Sequence, residues 1–534
     1  MEAAWRRHLA WLAPATSSLL LFVAFLPGGY AWAGFVWAIP LALWSATEPE
    51  WRTWRRATGI ASLVTWLLLL AWLRHVYPPL GWLGWAVVST YCAGYLFAWL
   101  LALRWVFPSL GGRNWVYRII GIIGLAALWI VLEALRGWAL TGFGWLPMAA
   151  SQVGNPVMLS LCEVAGQLGL SGALILANLA FARWIRRQLV ERRDLAERGN
   201  LLSGLTPEIY FGLAPVVLAF ALHLEARLDT TRRTSDANRL RVAAIQTDVD
   251  PNAKWDSARL AEQLESLRER TREAATAQPD LILLPEAAVA VLPLRHPGYL
   301  ATLRELSREA GCPLVLGAID ARGAGYANAI AAVGPDGVLG APYAKRQLVP
   351  FGEYVPLAEW LPLRKVVPIA SDCERGTAAV ALPVTTRTGM NLVLGPLVCY
   401  EDVFPGLARD HALAGADVLV VLTNDGWYGR ELGAWQHAAH SVLLAAATRL
   451  PVLRCGNAGW SGTIDDLGRA SPALRDGSIY FGGAAMLAPV DIDLGRRTQP
   501  TFWVLHGDWI VPPSVMLAAL LILLRRRARG GNAA

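Results

Sequence analysis

The chain has 534 residues, 55% of them hydrophobic and only 17% charged, well short of the roughly 25% charge of an average soluble domain. That deficit excludes an ordinary soluble enzyme and a disordered chain, and 25 Trp suit a protein whose rings sit at lipid–water interfaces. Six Cys are too few for a disulfide-stapled fold, and the net charge of +7 comes from Arg clusters beside apolar runs, which reads as topogenic signal rather than a nucleic-acid face.

Apolar runs long enough to cross a bilayer, about 17 residues or more, lie at 9 to 26, 30 to 46, 57 to 73, 82 to 103, 119 to 135 and 166 to 182, with two shorter ones at 209 to 224 and 509 to 524. If all eight cross, both termini lie on one side. Arg6, Arg7, Arg52, Arg55, Arg56, Arg104, Arg113, Arg118, Arg183, Arg186, Arg187, Arg192, Arg193, Arg198, Arg525, Arg526, Arg527 and Arg529 then fall on one face, and only Arg74 and Arg136 in the short loops opposite. By the positive-inside rule the Arg-rich face is cytoplasmic, so the long segment before the last run is on the outer side. The first run reads as a retained span, since no small-residue cleavage site precedes the next one. Residues 137 to 165, apolar but broken by Gly and Pro, read as a segment in or re-entering the outer leaflet, with a plain loop as the alternative. Glu133 is either interfacial or a polar site residue.

These runs divide the chain into an N-terminal membrane domain of about seven transmembrane helices over 1 to 228, a soluble α/β domain over 238 to 505 and a closing transmembrane helix at 509 to 524. In the soluble part, short apolar runs (RVAAIQTDV, DLILLPE, PLVLGAID, NLVLGPLVCYED, ADVLVVLTND, PVLRCGNAG) alternate with helical patterns such as 254 to 276 and 433 to 449. Continuous apolar strands imply sheets covered on both faces. No metal-ligand spacing, phosphate loop or dinucleotide fingerprint is present.

Three polar residues sit where an apolar strand, or the loop after it, ends: Glu286 in LLPEAAV, Lys345 in YAKRQLVPFGEYVP and Cys399 in GPLVCYEDVFP. Strand ends are where sheet proteins place reactive groups. A thiol nucleophile needs a base to take its proton and a cation to hold the thiolate and the oxyanion that follows attack on a carbonyl. Glu, Lys and Cys supply those roles. Lys254, Lys345 and Lys365 are the only lysines, the other 45 cations being Arg, so each marks a place where a compact ammonium is worth asking about. Taken singly the three residues have plainer readings: a small core residue, a helix cap and a solvated cation.

The wording around them resembles the nitrilase superfamily, whose Glu, Lys and Cys occur in this order, and is most similar to its bacterial apolipoprotein N-acyltransferases. The resemblance spans nearly the whole chain: Arg-flanked runs before the soluble domain, RGWALTGFGW, YAKRQLVPFGEYVP, VCYEDVFP, LTNDGWYG, the QH of AWQHAAH and one closing run. It implies a multi-pass α-helical membrane domain plus a four-layer αββα nitrilase-like sandwich, in the bacterial inner membrane with the catalytic domain facing the periplasm. It further implies that Glu286 is the general base, Lys345 the oxyanion-stabilising cation and Cys399 the nucleophile. Glu353 and Glu401 match further acidic positions, Tyr400 adjoins the nucleophile, and Trp427 and Trp255 match aromatic positions near the acyl-chain entrance. Two departures stand out: Leu444, Ala447 and Leu450 occupy positions where the family usually carries Arg, Glu and Arg, and Gly426 stands where Ala is common.

The implied reaction moves a fatty acyl chain from a glycerophospholipid to Cys399 as a thioester, then to the α-amine of the diacylglyceryl-modified N-terminal Cys of an apolipoprotein. It needs no cofactor, metal or nucleic acid. A membrane-anchored amidase or hydrolase, with water as acceptor, shares every catalytic residue. A catalytically silent lipoprotein-binding homologue is the third reading. Cys312, Cys373, Cys399 and Cys455 fall in the outer-side domain, where a disulfide is allowed, but Cys399 has to stay free to attack.

Overall fold

The computed structural model describes residues 2–77, 79–111, 114–191, 205–233, 238–322, 325–360, 362–365, 367 and 372–530. Arg113, Arg192, Arg193 and Arg198, four of the arginines counted above, lie outside them. The chain divides into two compact units, residues 1–226 with 506–534, and residues 227–505.

The first unit is helical. It contains α1 (Glu2–Ala24), α2 (Ile39–Ala46), α3 (Trp51–Leu69), α4 (Leu80–Val106), α5 (Trp115–Trp138), α6 (Cys162–Arg186), most of α7 (Pro207–Arg233) and the closing helix Val511–Gly530. Among the described residues five segments are long and apolar enough to cross a membrane: Leu80–Leu110, Trp115–Thr141, Cys162–Leu189, Pro207–Asp229 and Leu494–Arg527. The apolar helices Ala10–Ala24 and Ala31–Ala46 are shorter.

The run at 30 to 46 differs from the expected single helix. It is a 3-10 turn, Ala31–Phe35, followed by the short α2, whose first turn contains Pro40. Proline has no N–H for a continuing helix, so it restarts one instead. The broken backbone is buried and finds its partner on α6: Asn178 accepts from the Ala38 N–H at 2.9 Å and donates to the Gly34 carbonyl at 2.8 Å.

Residues 137 to 165 are irregular too, with 3-10 turns Ala139–Thr141 and Met148–Gln152 and one helical turn Pro156–Leu159. Here α5 supplies the partners. Glu133 accepts from the Met148 N–H at 2.6 Å, while Arg136 donates to the carbonyls of Trp145 at 2.7 Å and Leu146 at 3.2 Å. Glu133 is therefore a buried internal brace. Gln152 joins the two breaks by donating to the Ala31 carbonyl at 2.9 Å. Gly34 is needed at this junction, because a Cβ there would lie 2.6 Å from Ser151 Oγ. Irregular backbone away from water persists only where such partners exist.

The second unit is a four-layer αββα sandwich. Its strands are β1 (Asn238–Leu240), β2 (Val242–Gln246), β3 (Leu281–Leu284), β4 (Leu314–Arg322), β5 (Gly325–Val333), β6 (Tyr343–Ala344), β7 (Leu382–Thr385), β8 (Asn391–Val398), β9 (Val418–Asn424), β10 (Val452–Asn457), β11 (Gly462–Ile464), β12 (Ala470–Pro472), β13 (Gly483–Met486) and β14 (Val490–Ile492). One sheet has the order β13-β2-β3-β4-β5-β6 and the other β12-β11-β10-β9-β8-β7, while β1 pairs with β14 apart from both.

Alternate residues face opposite layers, as the strand period requires. Val242, Ala244, Leu281 and Leu283 meet Val398, Val418, Val420 and Leu422 in the core between the sheets. Ala243, Ile245, Ile282 and Leu284 point the other way, under α8 (Leu260–Ala275) and α9 (Pro297–Ala310). The second sheet is covered by α10 (Pro405–Leu413) and α11 (Gly433–Thr448). Burial on both faces is why these strands read as unbroken apolar runs. The central pairs β2-β3-β4 and β8-β9-β10 are parallel, so the carboxyl ends of neighbouring strands gather at one edge. All six cysteines are free.

β4 passes directly beneath the turn after β3: a Cβ at Gly317 would lie 2.4 Å from Glu286 Cα and 2.7 Å from the Pro285 carbonyl oxygen. Gly317→Ala is expected to cost about 1–3 kcal/mol of stability, measured as a lower melting temperature of the full-length protein in detergent. Unchanged melting would show that the turn yields freely.

Candidate active site

Three strand ends place the three residues. After β3, Ala287 turns the chain at φ +45°, and the Ala288 N–H bonds to the Gly317 carbonyl at 2.9 Å, so Glu286 is held over β4. After β6, the Lys345 N–H bonds to the Asn328 carbonyl of β5 at 2.8 Å. β8 ends at Val398, and Cys399 opens the 3-10 turn Cys399–Val403 with φ +51°. A non-glycine residue holds this left-handed conformation only where its surroundings enforce it.

Glu401 provides that enforcement. Its fully buried carboxylate accepts from the backbone N–H of Val398 at 2.7 Å, Arg346 at 2.6 Å and Gln347 at 3.1 Å, and from the Tyr343 hydroxyl at 2.9 Å. Burial pushes its pKa up, and the backbone donors and Lys345 work against that push. One side chain thereby ties the cysteine turn to the segment that carries Lys345.

At the centre, Lys345 Nζ lies 2.9 Å from Glu353 and 3.7 Å from Glu286 Oε1. Asn328 Nδ2 donates to both carboxylates, at 2.6 Å to Glu286 and 2.8 Å to Glu353. Burial alone would lower the Lys345 pKa, but Glu353, and after it Glu286, outweigh burial and hold the ammonium charged. The Cys399 sulfur accepts from the Thr423 hydroxyl at 3.2 Å and from the Asn424 N–H. Burial first, and then the charge of Glu286, push the thiol's pKa up, while Lys345 and the two donors pull it down. A buried thiol whose pKa is pushed up needs a base if it is to act as a nucleophile, and Glu286 is a carboxylate whose charge it feels.

A second set of charges lies under the cysteine turn. His437 stands 2.9 Å from Asp402 and 2.8 Å from Asp425, and Arg454 donates to Asp402 at 2.5 Å and approaches Asp425 at 3.4 Å. Ser441 adds a bond to Asp402 at 2.7 Å, and His437 Nε2 lies 3.3 Å from the Cys399 carbonyl oxygen. Burial disfavours a charged His437, but Asp402 and the other acceptors prevail and raise its pKa. Two acids, a histidine and an arginine thus pack together with no solvent exposure. Among the described residues no group of His, Cys, Asp and Glu is arranged to hold a metal ion.

Residues 241–495 match the carbon-nitrogen hydrolase family, and residues 17–180 match the family described as apolipoprotein N-acyltransferase N-terminal domain. Three curated relatives, each named apolipoprotein N-acyltransferase, extend the likeness along the chain. That of Geobacter metallireducens is 28% identical, over 97% of this chain and 96% of its own; that of Gloeobacter violaceus is 30% identical, over 99% and 96%. That of Pseudomonas syringae pv. tomato is 33% identical over 72% and 74%. The chain belongs to the apolipoprotein N-acyltransferase family.

Against the family pattern, Leu444, Ala447 and Leu450 are all buried. The charge set under Cys399 draws on His437, Ser441 and Arg454 instead, so those three replacements leave it whole. Of the remaining residues singled out from sequence, Tyr400 is buried edge-on to Phe404 with ring centroids 5.0 Å apart. Trp427 is half-buried in the turn Asp425–Tyr428, and Trp255 is exposed. Sequence reasoning missed Asn328, Asp402, Thr423, Asp425 and Arg454. The QH pair flagged His437, and the scarcity of lysine flagged Lys254, which proves to be buried.

Thr423 has one hydroxyl proton and two acceptors, Cys399 Sγ at 3.2 Å and Asp425 Oδ1 at 3.0 Å, so it can turn toward the sulfur as charge develops there. Thr423→Val is expected to slow iodoacetamide alkylation of Cys399 about ten-fold, and Thr423→Ser to retain most of the rate, as for loss of one hydrogen bond to a charged group. Equal rates in all three proteins would remove Thr423 from thiolate stabilisation.

Proposed function

We propose that this protein transfers a fatty acyl chain from a membrane glycerophospholipid to the α-amine of the N-terminal diacylglyceryl-cysteine of apolipoproteins. The observation that carries the reading is a buried strand-end thiol, Cys399, grouped with a charged Lys345 and two carboxylates. The five membrane-length apolar segments among the described residues, and the relatives' shared name, support lipid substrates.

In the first half-reaction Glu286 takes the thiol proton, and the sulfur attacks the ester carbonyl carbon. Lys345 stabilises the oxyanion, which is the largest charge to develop. Collapse breaks the C–O bond, Glu286 returns its proton to the departing lysophospholipid oxygen, and a thioester remains on Cys399. In the second, the neutral lipoprotein amine attacks the thioester carbonyl, Glu286 accepts a proton from the nitrogen, and as the C–S bond breaks Glu286 passes that proton to the departing sulfur, giving an amide, the free thiol and the carboxylate base again. Glu353 and Asn328 hold Lys345 and Glu286 in register through both steps. The two steps balance with side chains alone. Residues 1 to 228 and 509 to 524 form the membrane domain in this reading, and 238 to 505 the catalytic domain on the periplasmic side of the inner membrane. Hydrolysis is the second reading, favoured by the match of 241–495 to carbon-nitrogen hydrolases.

Incubation with phospholipid alone is expected to acylate the protein covalently, in a form sensitive to neutral hydroxylamine and absent in Cys399→Ala. Adding a diacylglyceryl-cysteine peptide then moves the label to the peptide's amine, as mass spectrometry would show. Release of free fatty acid without N-acylated peptide would favour the hydrolase, and no acylation in any lipid would favour a silent homologue. For orientation, a reporter fused after residue 240 is expected to be active in the periplasm and one at the C-terminus in the cytoplasm. The reverse pattern would overturn the topology.

A further inference from the structure

Lys254 is only 2% exposed, yet it belongs to a short surface turn, Ala253–Trp255, whose next residue, Trp255, is 51% exposed. Its Nζ donates to the Glu286 backbone carbonyl at 3.0 Å. The segment before it is held at the cysteine side of the site: Asn457 of β10 donates to the Val249 carbonyl at 2.8 Å and to Asn424 Oδ1 at 2.8 Å, and accepts from the Val249 N–H at 3.1 Å. A short strap thus runs from the residue whose N–H bonds the Cys399 sulfur to the residue that takes its proton. Burial draws the Lys254 pKa down to about 8, and the attraction of Glu286, then Cys455, opposes burial. Few proteins bury an ammonium without a partner that needs it.

Lys345 is one cation beside the carboxylates of Glu286 and Glu353, with the buried carboxylate of Glu401 also in its field, and Lys254 adds a second positive charge near Glu286. The groups facing Glu286 are Asn328, Lys345, Glu353, Cys399 and Cys373, and the group facing Lys254 besides Glu286 is the Cys455 thiol. We propose that Lys254 is a positioning residue for Glu286, fixing the turn that carries it and supplying the second cation of the site. Gly317 closes the space below Glu286 and Asn328 anchors its carboxylate; Lys254 secures the backbone between.

This rests on the reading of Glu286 as the base, and the experiment separates the two. Alkylation of Cys399 by iodoacetamide is followed against pH in the full-length protein in detergent, for the native chain, Lys254→Gln, Lys254→Met and Glu286→Gln, with melting curves for each. Removing a cation beside a carboxylate favours its protonated form, so the acid limb of the rate profile is expected to move to higher pH by about one unit in Lys254→Gln and Lys254→Met. On that limb alkylation would be about ten-fold slower, converging with the native rate at high pH. Lys254→Gln, which keeps a donor for the carbonyl, is expected to melt closer to the native chain than Lys254→Met. If Glu286→Gln abolishes the limb but neither Lys254 variant moves it, the inference fails and the base assignment stands. If Glu286→Gln leaves the limb unchanged, the base assignment fails and the inference with it. Loss of cooperative melting in both Lys254 variants would reduce Lys254 to a structural residue and overturn the proposal.

Discussion

The charge that the second unit depends on is that of Lys345. It is almost wholly buried, and a bare ammonium there would cost several kcal/mol of desolvation. Glu353 at 2.9 Å and Glu286 at 3.7 Å make its charged form the stable one. Each partner is fixed by something else: Glu353 accepts from the Val349 N–H at 2.8 Å, and Asn328 bridges both carboxylates. The cation is therefore in place before any substrate arrives. A preorganised charge does not have to reorient when an opposite charge develops beside it, and in a water-poor setting such a charge acts most strongly.

The same principle governs the cysteine turn. A left-handed Cys399 is strained, and a strained residue relaxes unless several contacts forbid it. Glu401 holds the turn from the Lys345 side, and the buried set of Asp402, Asp425, His437 and Arg454 holds it from below. Such buried sets are stable only when complete. Removing one member leaves its partner charged and unpaired, which typically costs about 3–5 kcal/mol, so the four residues behave as one element. The apolar side chains at 444 and 447, on the helix that carries His437, and at 450, just beyond it, lie outside this set.

Much of this architecture was legible in the sequence, for a reason the sheets make plain. Central parallel strands are covered on both faces, so β2, β3, β4, β8, β9 and β10 announce themselves as apolar runs. The antiparallel strands β5, β7 and β11 to β14 carry Ala, Gly, Thr and Pro, or are too short for a pattern to form. The break at 31 to 38 escaped notice because its residues are as apolar as a true span, and Pro40 alone signals the restart. At the site, Glu286, Lys345 and Cys399 were legible from their motifs. Asn328, Asp402, Thr423 and Arg454 were not, because their chemistry exists only across strands: Asp402 meets Arg454 from 52 residues away.

The interlocked breaks in the helical unit bear on how the chain is made. Asn178 supplies the missing partners of residues 34 and 38, from 144 and 140 positions downstream. Gln152 does the same for Ala31 from 121 positions on. A ribosome delivers the acceptors and donors of the first break long before the side chains that satisfy them. The early helices must therefore wait, tolerating exposed backbone or remaining near water, until α6 emerges and closes the unit. Assembly of the helical unit is consequently gated by its sixth helix rather than by its first.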